Sequence, residues 1–401
     1  MKKAKSTSTA KTVSSTEERD EVLANRLVEL ALGQREHDTY AELPTALQKM
    51  NADLRKTIKK CLQQRREQAL DEAIERTCEE DIKAWRVLRE NVEDLSGTIL
   101  FRRDEGADVE VNAFVVPLFV HTTGGLRSDQ CFQDEEAFEH LRDSFQDGGL
   151  ESSKASVVLV SHAYHLDEIE CIGYCHLNEM VHEAFDAMTR KKTSAADAIA
   201  RSMRGWPQSS FAPDDNAIEL RFLLGFVLKK MDDPFYHVPE KEAAADRYFE
   251  ARAARFRKWS QQVMPLLQRS LVIDGRNVQI DFLYQDLFHG GVEAALAELE
   301  MLRLLSELQH AMEANGVAPE EVKAIVGPME TDEAVMLRVS LHAMANDTPI
   351  GAIDTPLNRM ENMQNAIAEI ADGLANAGIR NIQIAKLFDA NGAPGAVRQW
   401  S

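Results

Sequence analysis

The stretch IELRFLLGFVL, Ile218 to Leu228, is the strongest constraint on how this chain folds. It is nearly all apolar, so neither of its faces suits water. It is also far shorter than the roughly 18 apolar residues that would cross a membrane. A strand apolar on both faces belongs in the middle of a sheet, with cover above and below. The chain must therefore supply neighbouring strands and two covering layers. Its 401 residues, 44% of them hydrophobic, are enough for this, and the length implies two or three domains.

The first hundred residues read as helical cover. Ser15 and Glu18 have capping-box spacing, Leu23, Leu27, Leu30 and Ala31 share one helical face, and Gly33 suits a C-cap. From Pro44 to Leu95 there is no strand period. Leu70, Ala73 and Ile74, then Ile82, Trp85 and Leu88, mark further amphipathic helices. Residues 17–96 are expected to form a helical region. Residues 1–16 are expected to be a disordered basic tail, because no apolar stretch follows MKKAK as it would in a signal peptide.

At Ser96-Gly97 the period changes. Thr98–Arg102 and Val109–Val120, joined by a turn at Asp104–Gly106, read as a hairpin. A helix is expected near Asp134–Gln146, a strand at Ala155–Ala163, and helices across Glu168–Arg204. The Pro-, Ser- and Asp-rich stretch Gly205–Asn216 reads as a boundary. Beyond it come the apolar strand and a long helix over Lys241–Met264, ended or kinked by Pro265. A strand at Val278–Leu283 and a helix over Val292–Asn315 follow. Strands near Val322–Val326, Val335–His342 and Ile350–Asp354, a helix carrying Met363, Ile367, Ile370 and Leu374, and a strand at Ile382–Leu387 complete the order. The expected fold class is mixed α/β (α+β). A helical N-terminal region precedes helix-covered mixed sheets in two subdomains, 97–210 and 217–395.

Two nonapeptides, EVNAFVVPL at Glu110–Leu118 and EVKAIVGPM at Glu321–Met329, agree at five of nine positions. Both apolar runs are expected to stop at their prolines, Pro117 and Pro328. Duplication of one structural unit is one reading. The small alphabet of buried strands is the other.

No GxGxxG, GxxxxGK[ST], GxSxG or HExxH occurs, which argues against dinucleotide, P-loop, hydrolase-elbow and zincin chemistry. Glu179 with His182 and Glu307 with His310 have di-iron spacing, but both pairs lie off the apolar stripes of their helices and read as solvated. LFHGG, Leu287–Gly291, reads as a turn and helix start. A candidate ligand site joins His121, Thr122, Thr123, Gly124, Gly125 and Arg127, after the first long strand, to Ser161 and His162 at the end of the next. If those strands are parallel neighbours, both ends line one crevice. A candidate zinc set is His162, His165, Cys171, Cys175 and His176, of suitable types but of no standard spacing. No catalytic set and no cofactor is expected. Cys61, Cys78, Cys131, Cys171 and Cys175, few and odd in number, read as reduced cytosolic thiols.

The net charge of −20 disfavours nucleic acid, and no segment suits a membrane. One basic cluster stands out: Arg55, Lys56, Lys59, Lys60, Arg65 and Arg66. Arg55, Lys56, Lys59 and Lys60 share a helix side, which reads by default as a solvated face; an acidic partner, the protein's own acidic surface or nucleic acid could also dock there.

RLVELALG at Arg26–Gly33, RFLLGFVL at Arg221–Leu228, GVAPEEVKAIVGP at Gly316–Pro328, PIGAIDTPL at Pro349–Leu357 and AGIRNIQIAKLFDANGAP at Ala377–Pro394 carry a resemblance. Over most of its length the chain resembles a family of uncharacterised betaproteobacterial proteins, a domain of unknown function. Members often carry a cysteine pair before Gly-Ala-Pro. Phe388 and Asn391 stand there instead, so any metal or redox role of that pair is absent from this chain. The resemblance implies a fold and no activity. The resulting expectation is a cytoplasmic, non-catalytic interaction or accessory protein that binds another protein or itself. A small-molecule sensor or enzyme at 121–128 and 161–165, and a zinc site in 162–176, are the alternatives.

Overall fold

The computed structural model describes residues 9–34, 45–102, 106–122, 135–190, 218–271, 278–283, 287–330, 335–357 and 362–400. The fold is mixed α/β. Residues 1–295 and 296–401 form two compact units.

The first unit begins with four helices: α1 (Thr9–Leu32), α2 (Thr45–Gln63), α3 (Glu67–Glu80) and α4 (Ile82–Gly97). The expected periodicity is what they bury. Leu27, Leu30 and Ala31 of α1 meet Leu54 and Ile58 of α2, Leu70 and Ala73 of α3, and Leu88 and Val92 of α4 in one core. Helix α1 starts at Thr9, ahead of the Ser15 cap, so residues 9–16 extend the helix rather than a disordered tail. TAKTVSS contains no glycine or proline, and adding a residue to an existing helix gains one hydrogen bond without a new nucleus.

The strands are β1 (Thr98–Phe101), β2 (Val109–Thr122), β3 (Ser156–His165), β4 (Ile218–Lys230) and β5 (Val278–Phe282). The order is β1-β2-β4-β3, with β5 on the same edge of β2 as β1, and every pairing is antiparallel. The apolar strand is interior, as its composition demands. Its neighbours are β2 and β3, and all of Leu220–Lys229 is buried. One face of the sheet is covered by α5 (Glu135–Asp147) and α8 (Glu242–Leu271). Leu141, Phe145, Trp259, Val263 and Leu267 pack there on Phe114, Val116, Leu118, Leu223 and Val227. Helices α6 (Leu166–Glu170) and α7 (Tyr174–Arg190) follow β3, and α7 packs on β2 and β4 and against α4.

The chain does not divide at 205–216. Those residues lie outside the described ones, but β4 beyond them pairs with β2 over thirteen positions, from Val109↔Lys230 to His121↔Ile218, and belongs to the first unit. Composition marks a loop there, yet a loop between strands of one sheet and a linker between domains use the same residues. Helix α8 also passes through Pro265 to Leu271. Pro265 is exposed while Val263 and Leu267 are buried, so the carbonyl left without a donor faces water and the apolar stripe carries the helix onward.

The second unit contains the later part of α9 (Phe288–Asn315), then β6 (Val322–Glu330), β7 (Val335–Ala343), β8 (Pro349–Pro356), α10 (Met363–Asn376), β9 (Asn381–Ala385) and β10 (Val397–Gln399). The order is β10-β9-β6-β7-β8. Among the described strands β6 and β9 pair parallel and the other pairs are antiparallel. Leu304, Leu308 and Met312 of α9 and Ile367, Ile370 and Leu374 of α10 cover one face. Gly378, at φ +97, ends α10 as expected.

Both nonapeptides are strands, and neither stops at its proline. Pro117 accepts a hydrogen bond from Leu283 N at 3.2 Å, so its polar edge faces the gap between β1 and β5, where no ladder donor is required. Pro328 accepts from Phe388 N at 2.8 Å, beyond the last β6–β9 pair at Val326↔Ile384. The two strands share this device but differ in setting. β2 has antiparallel neighbours on both sides, whereas β6 has one of each kind.

Candidate functional site

Strand β4 lies between β2 and β3, so those two strands are not neighbours as the crevice reading required. They do run in the same direction, and their ends flank the start of β4: His121 pairs with Ile218, and His165 with Arg221. His121 and Thr122 close β2, with side chains outside the described residues. Thr123, Gly124, Gly125 and Arg127 lie outside them entirely.

On the β3 side the chain bulges. Leu159 pairs with Gly225 and Ala163 with Leu223, which leaves Val160, Ser161 and His162 opposite Leu224 alone. Bulges re-aim side chains, and they concentrate near functional sites. Here Ser161 is exposed, and His162 lies half-buried against the Tyr164 ring, 4.3 Å between centroids. His162 Nε2 is 3.4 Å from Glu168 Oε2, which also accepts from His165 N at 2.7 Å. Burial acts to raise the Glu168 carboxyl, but these hydrogen bonds and the two imidazoles outweigh it and hold the carboxyl below its ordinary value.

His165 Nδ1 is 3.1 Å from Glu219 Oε1, which accepts from Arg221 Nε at 2.8 Å, and Arg221 Nη1 donates to the Ala163 carbonyl at 3.1 Å. Arg221 is 1% exposed and His165 9%. His165 thus turns Nδ1 to Glu219, and its other ring nitrogen, Nε2, is buried with no hydrogen-bond partner. A second buried polar cluster, around Glu151, Ser152, Asp233 and Tyr236, is closed by contrast: Tyr236 Oη donates to Glu151 at 2.8 Å and Ser152 Oγ to Asp233 at 2.6 Å.

The proposed zinc set is split. His162 and His165 belong to the bulge. Cys171 is exposed. Cys175 is buried, its thiol 3.9 Å from the Cys61 carbonyl, and burial with the neighbouring Glu67 carboxylate raises its pKa far above the thiol range. His176 lies near Glu67, Glu179 and Arg65, and burial lowers its pKa. Among the described residues no group of three or more His, Cys, Asp or Glu is arranged to hold a metal ion. Of the other motifs, Glu179 pairs with Arg65, His182 meets the Phe101 ring edge-on, and exposed His310 hydrogen-bonds the Ser306 carbonyl. LFHGG is a helix start, but His289 Nε2 also reaches Ser96 Oγ at 3.1 Å. Ser96 is fully buried, so the pair joins α4 to α9 and presents no nucleophile.

Reading the sequence missed Glu168, Glu219, Arg221 and Glu67. A signal for two of them was present: Glu219 and Arg221 are charges inside an otherwise apolar strand, where a charge must find a partner. Glu67 gave none. It accepts from Tyr174 N at 2.6 Å and Cys175 N at 2.7 Å, capping α7 from a distant helix.

The basic cluster separates into two groups. Arg55 binds Asn91 and Asp94 of α4 at 2.9 and 2.7 Å, Arg65 pairs with Glu179, and Arg66 with Asp20 at 3.4 Å. Lys56, Lys59 and Lys60 are exposed and have no ion-pair partner among the described residues. With Arg26 of α1 and with Asp53 and Arg55 of α2 they line an open groove of about 690 Å³. No described helix is long and apolar enough to cross a membrane.

Neither the comparison with curated proteins nor that with solved structures finds a match. A family model described as "Protein of unknown function (DUF2863)" matches residues 12–392, and the chain belongs to that family.

Proposed function

We propose that this is a cytosolic, non-catalytic interaction or accessory protein of a betaproteobacterium, and that it docks an acidic protein surface on the outer face of α2. One observation carries the reading. Lys56, Lys59 and Lys60 stand together, exposed and without carboxylate partners among the described residues, in a chain with 66 acidic and 46 basic residues. A chain so rich in carboxylates has ample means to neutralise three lysines internally, and it does so for Arg55, Arg65 and Arg66. Neighbouring like charges at i, i+3 and i+4 repel, so an opposite surface is favoured there. The overall negative charge favours a protein partner over a phosphate backbone. Free thiols at Cys61, Cys78, Cys171 and Cys175 support a reducing compartment.

Native mass spectrometry of the tagged protein, taken gently from its own host, tests the reading. A second polypeptide or a doubled mass is expected, and Lys56→Glu with Lys60→Glu removes it. A bare monomer from fresh extract overturns it.

A second reading rests on the buried, unpartnered Nε2 of His165. A small molecule with a hydroxyl, which can donate or accept, would satisfy that atom, beside the ends of β2 and β3. This reading expects a retained mass of tens to hundreds of daltons that His165→Ala abolishes and the lysine substitutions leave in place.

A further inference from the structure

We infer that the acidic surface docked on α2 is α3 of a second copy of this chain, and that α3 of the first copy docks on α2 of the second. The inference rests on the docking role proposed for α2 and names its partner.

Helix α3 carries the complement of α2. Glu75, Glu79 and Glu80 are exposed and have no ion-pair partner among the described residues. Glu79 and Glu80 stand in the last turn of α3, which holds no basic residue, so they face the negative end of their own helix dipole. Among the described residues each face thus keeps a like-charge repulsion, lysine against lysine on α2 and carboxylate against carboxylate on α3. Cations from α2 of another copy would relieve both.

The two faces keep a fixed relation. Only the turn at residues 64–66 separates α2 from α3, with Arg65 at φ +53 and Arg66 N bonded to the Cys61 carbonyl at 2.9 Å. A two-fold axis between copies satisfies both contacts at once, α2 on α3 and α3 on α2, which is the geometry of a closed dimer. Val22, 66% exposed and one helical turn before Arg26 at the groove, adds an apolar contact to a polar interface.

Size sets the strength. Helices of 19 and 14 residues are about 28 and 21 Å long. Faces about 10 Å wide give roughly 500 Å² per copy, near the lower bound for specific interfaces. The dimer is therefore weak, reversible and salt-sensitive. Between about 0.1 M and 1 M salt the Debye length falls from about 10 to 3 Å, and the pairing weakens with it.

Sedimentation analysis of the purified full-length protein, over micromolar to hundred-micromolar concentration, tests this. The wild type is expected to dimerise. Lys56→Glu/Lys59→Glu/Lys60→Glu alone and Glu75→Lys/Glu79→Lys/Glu80→Lys alone are each expected to be monomeric. An equimolar mixture of the two variants is expected to dimerise again, because every contact is then opposite in charge. Helical circular dichroism and melting midpoint are compared with wild type, and Lys→Gln and Glu→Gln versions repeat the test for any variant that does not fold. A monomeric wild type, variants that dimerise like wild type, or a monomeric mixture overturns the inference. Should purified wild type be monomeric while the lysine substitutions still remove a different co-purifying chain, self-pairing fails and the docking role of α2 stands.

Discussion

Gly225 of β4 lies directly opposite Phe114 of β2, and the Phe114 ring fills the space a side chain at 225 would occupy. A Cβ there would fall 2.6 Å from Phe114 Cε1 and 2.8 Å from Cε2. Both residues are in the middle of the first sheet, so the ring has no slack to move into. Gly225→Ala is expected to cost about 1–3 kcal/mol by overpacking. Phe114→Leu in the same chain should return part of that loss. Urea unfolding of the four proteins in a double-mutant cycle measures the coupling, and additive effects would contradict the packing account.

His289 makes stability pH-dependent in a defined window. Burial, helped by the Arg89 guanidinium, lowers its pKa from 6.5 to about 4. The unfolded chain therefore binds a proton between those values that the folded chain refuses. The contribution is complete above pH 6.5 and is lost as pH falls towards 4. It amounts to at most about 3 kcal/mol, from 1.36 kcal/mol per pKa unit. His289→Gln keeps a donor for Ser96 and should flatten the urea midpoint between pH 6.5 and 4 relative to wild type.

The cysteines should differ sharply in reactivity. Cys61 is buried and its pKa pushed up to about 11, chiefly by desolvation. Cys175 is raised further by burial and Glu67, whereas Cys171 is exposed. Brief treatment of folded protein with iodoacetamide at neutral pH is expected to label Cys171 and spare Cys61 and Cys175. Peptide mass mapping reads the result, and fast labelling of Cys175 would mean that α7 opens from α2.

Phe388 pins the C-terminal arm. It is 2% exposed, packs with Ile325 and Ala385, and its N–H bonds the Pro328 carbonyl. Phe388→Ala is expected to cost about 3–5 kcal/mol in the second unit. Trypsin should then cut after Lys386 faster than in wild type, with cleavage sites in the first unit unchanged.

Much of this architecture is legible in the sequence. The Ile218–Leu228 run has no polar face, so an interior strand was the only economical solution. The helices of 17–96 follow from a 3.6-residue period that needs no knowledge of partners. His162 and His165 were singled out as residue types. Glu168, Glu219 and Arg221, which complete their cluster, were not, because a hydrogen-bonded carboxylate and a solvated one look alike in a sequence.

Local pattern therefore established which segments are helices and strands, which faces are apolar, and that the body is a covered α/β fold. Neighbour relations came from the folded chain alone. That β4 enters between β2 and β3, that Pro117 and Pro328 sit where a partner strand ends, and that among the described residues Lys56, Lys59 and Lys60 have no carboxylate while Arg55, Arg65 and Arg66 do, are facts about residues far apart in the chain. The physical reason is range. Periodicity and capping act over a few residues, whereas strand order, ion pairing and burial of a charge depend on which distant segment packs alongside.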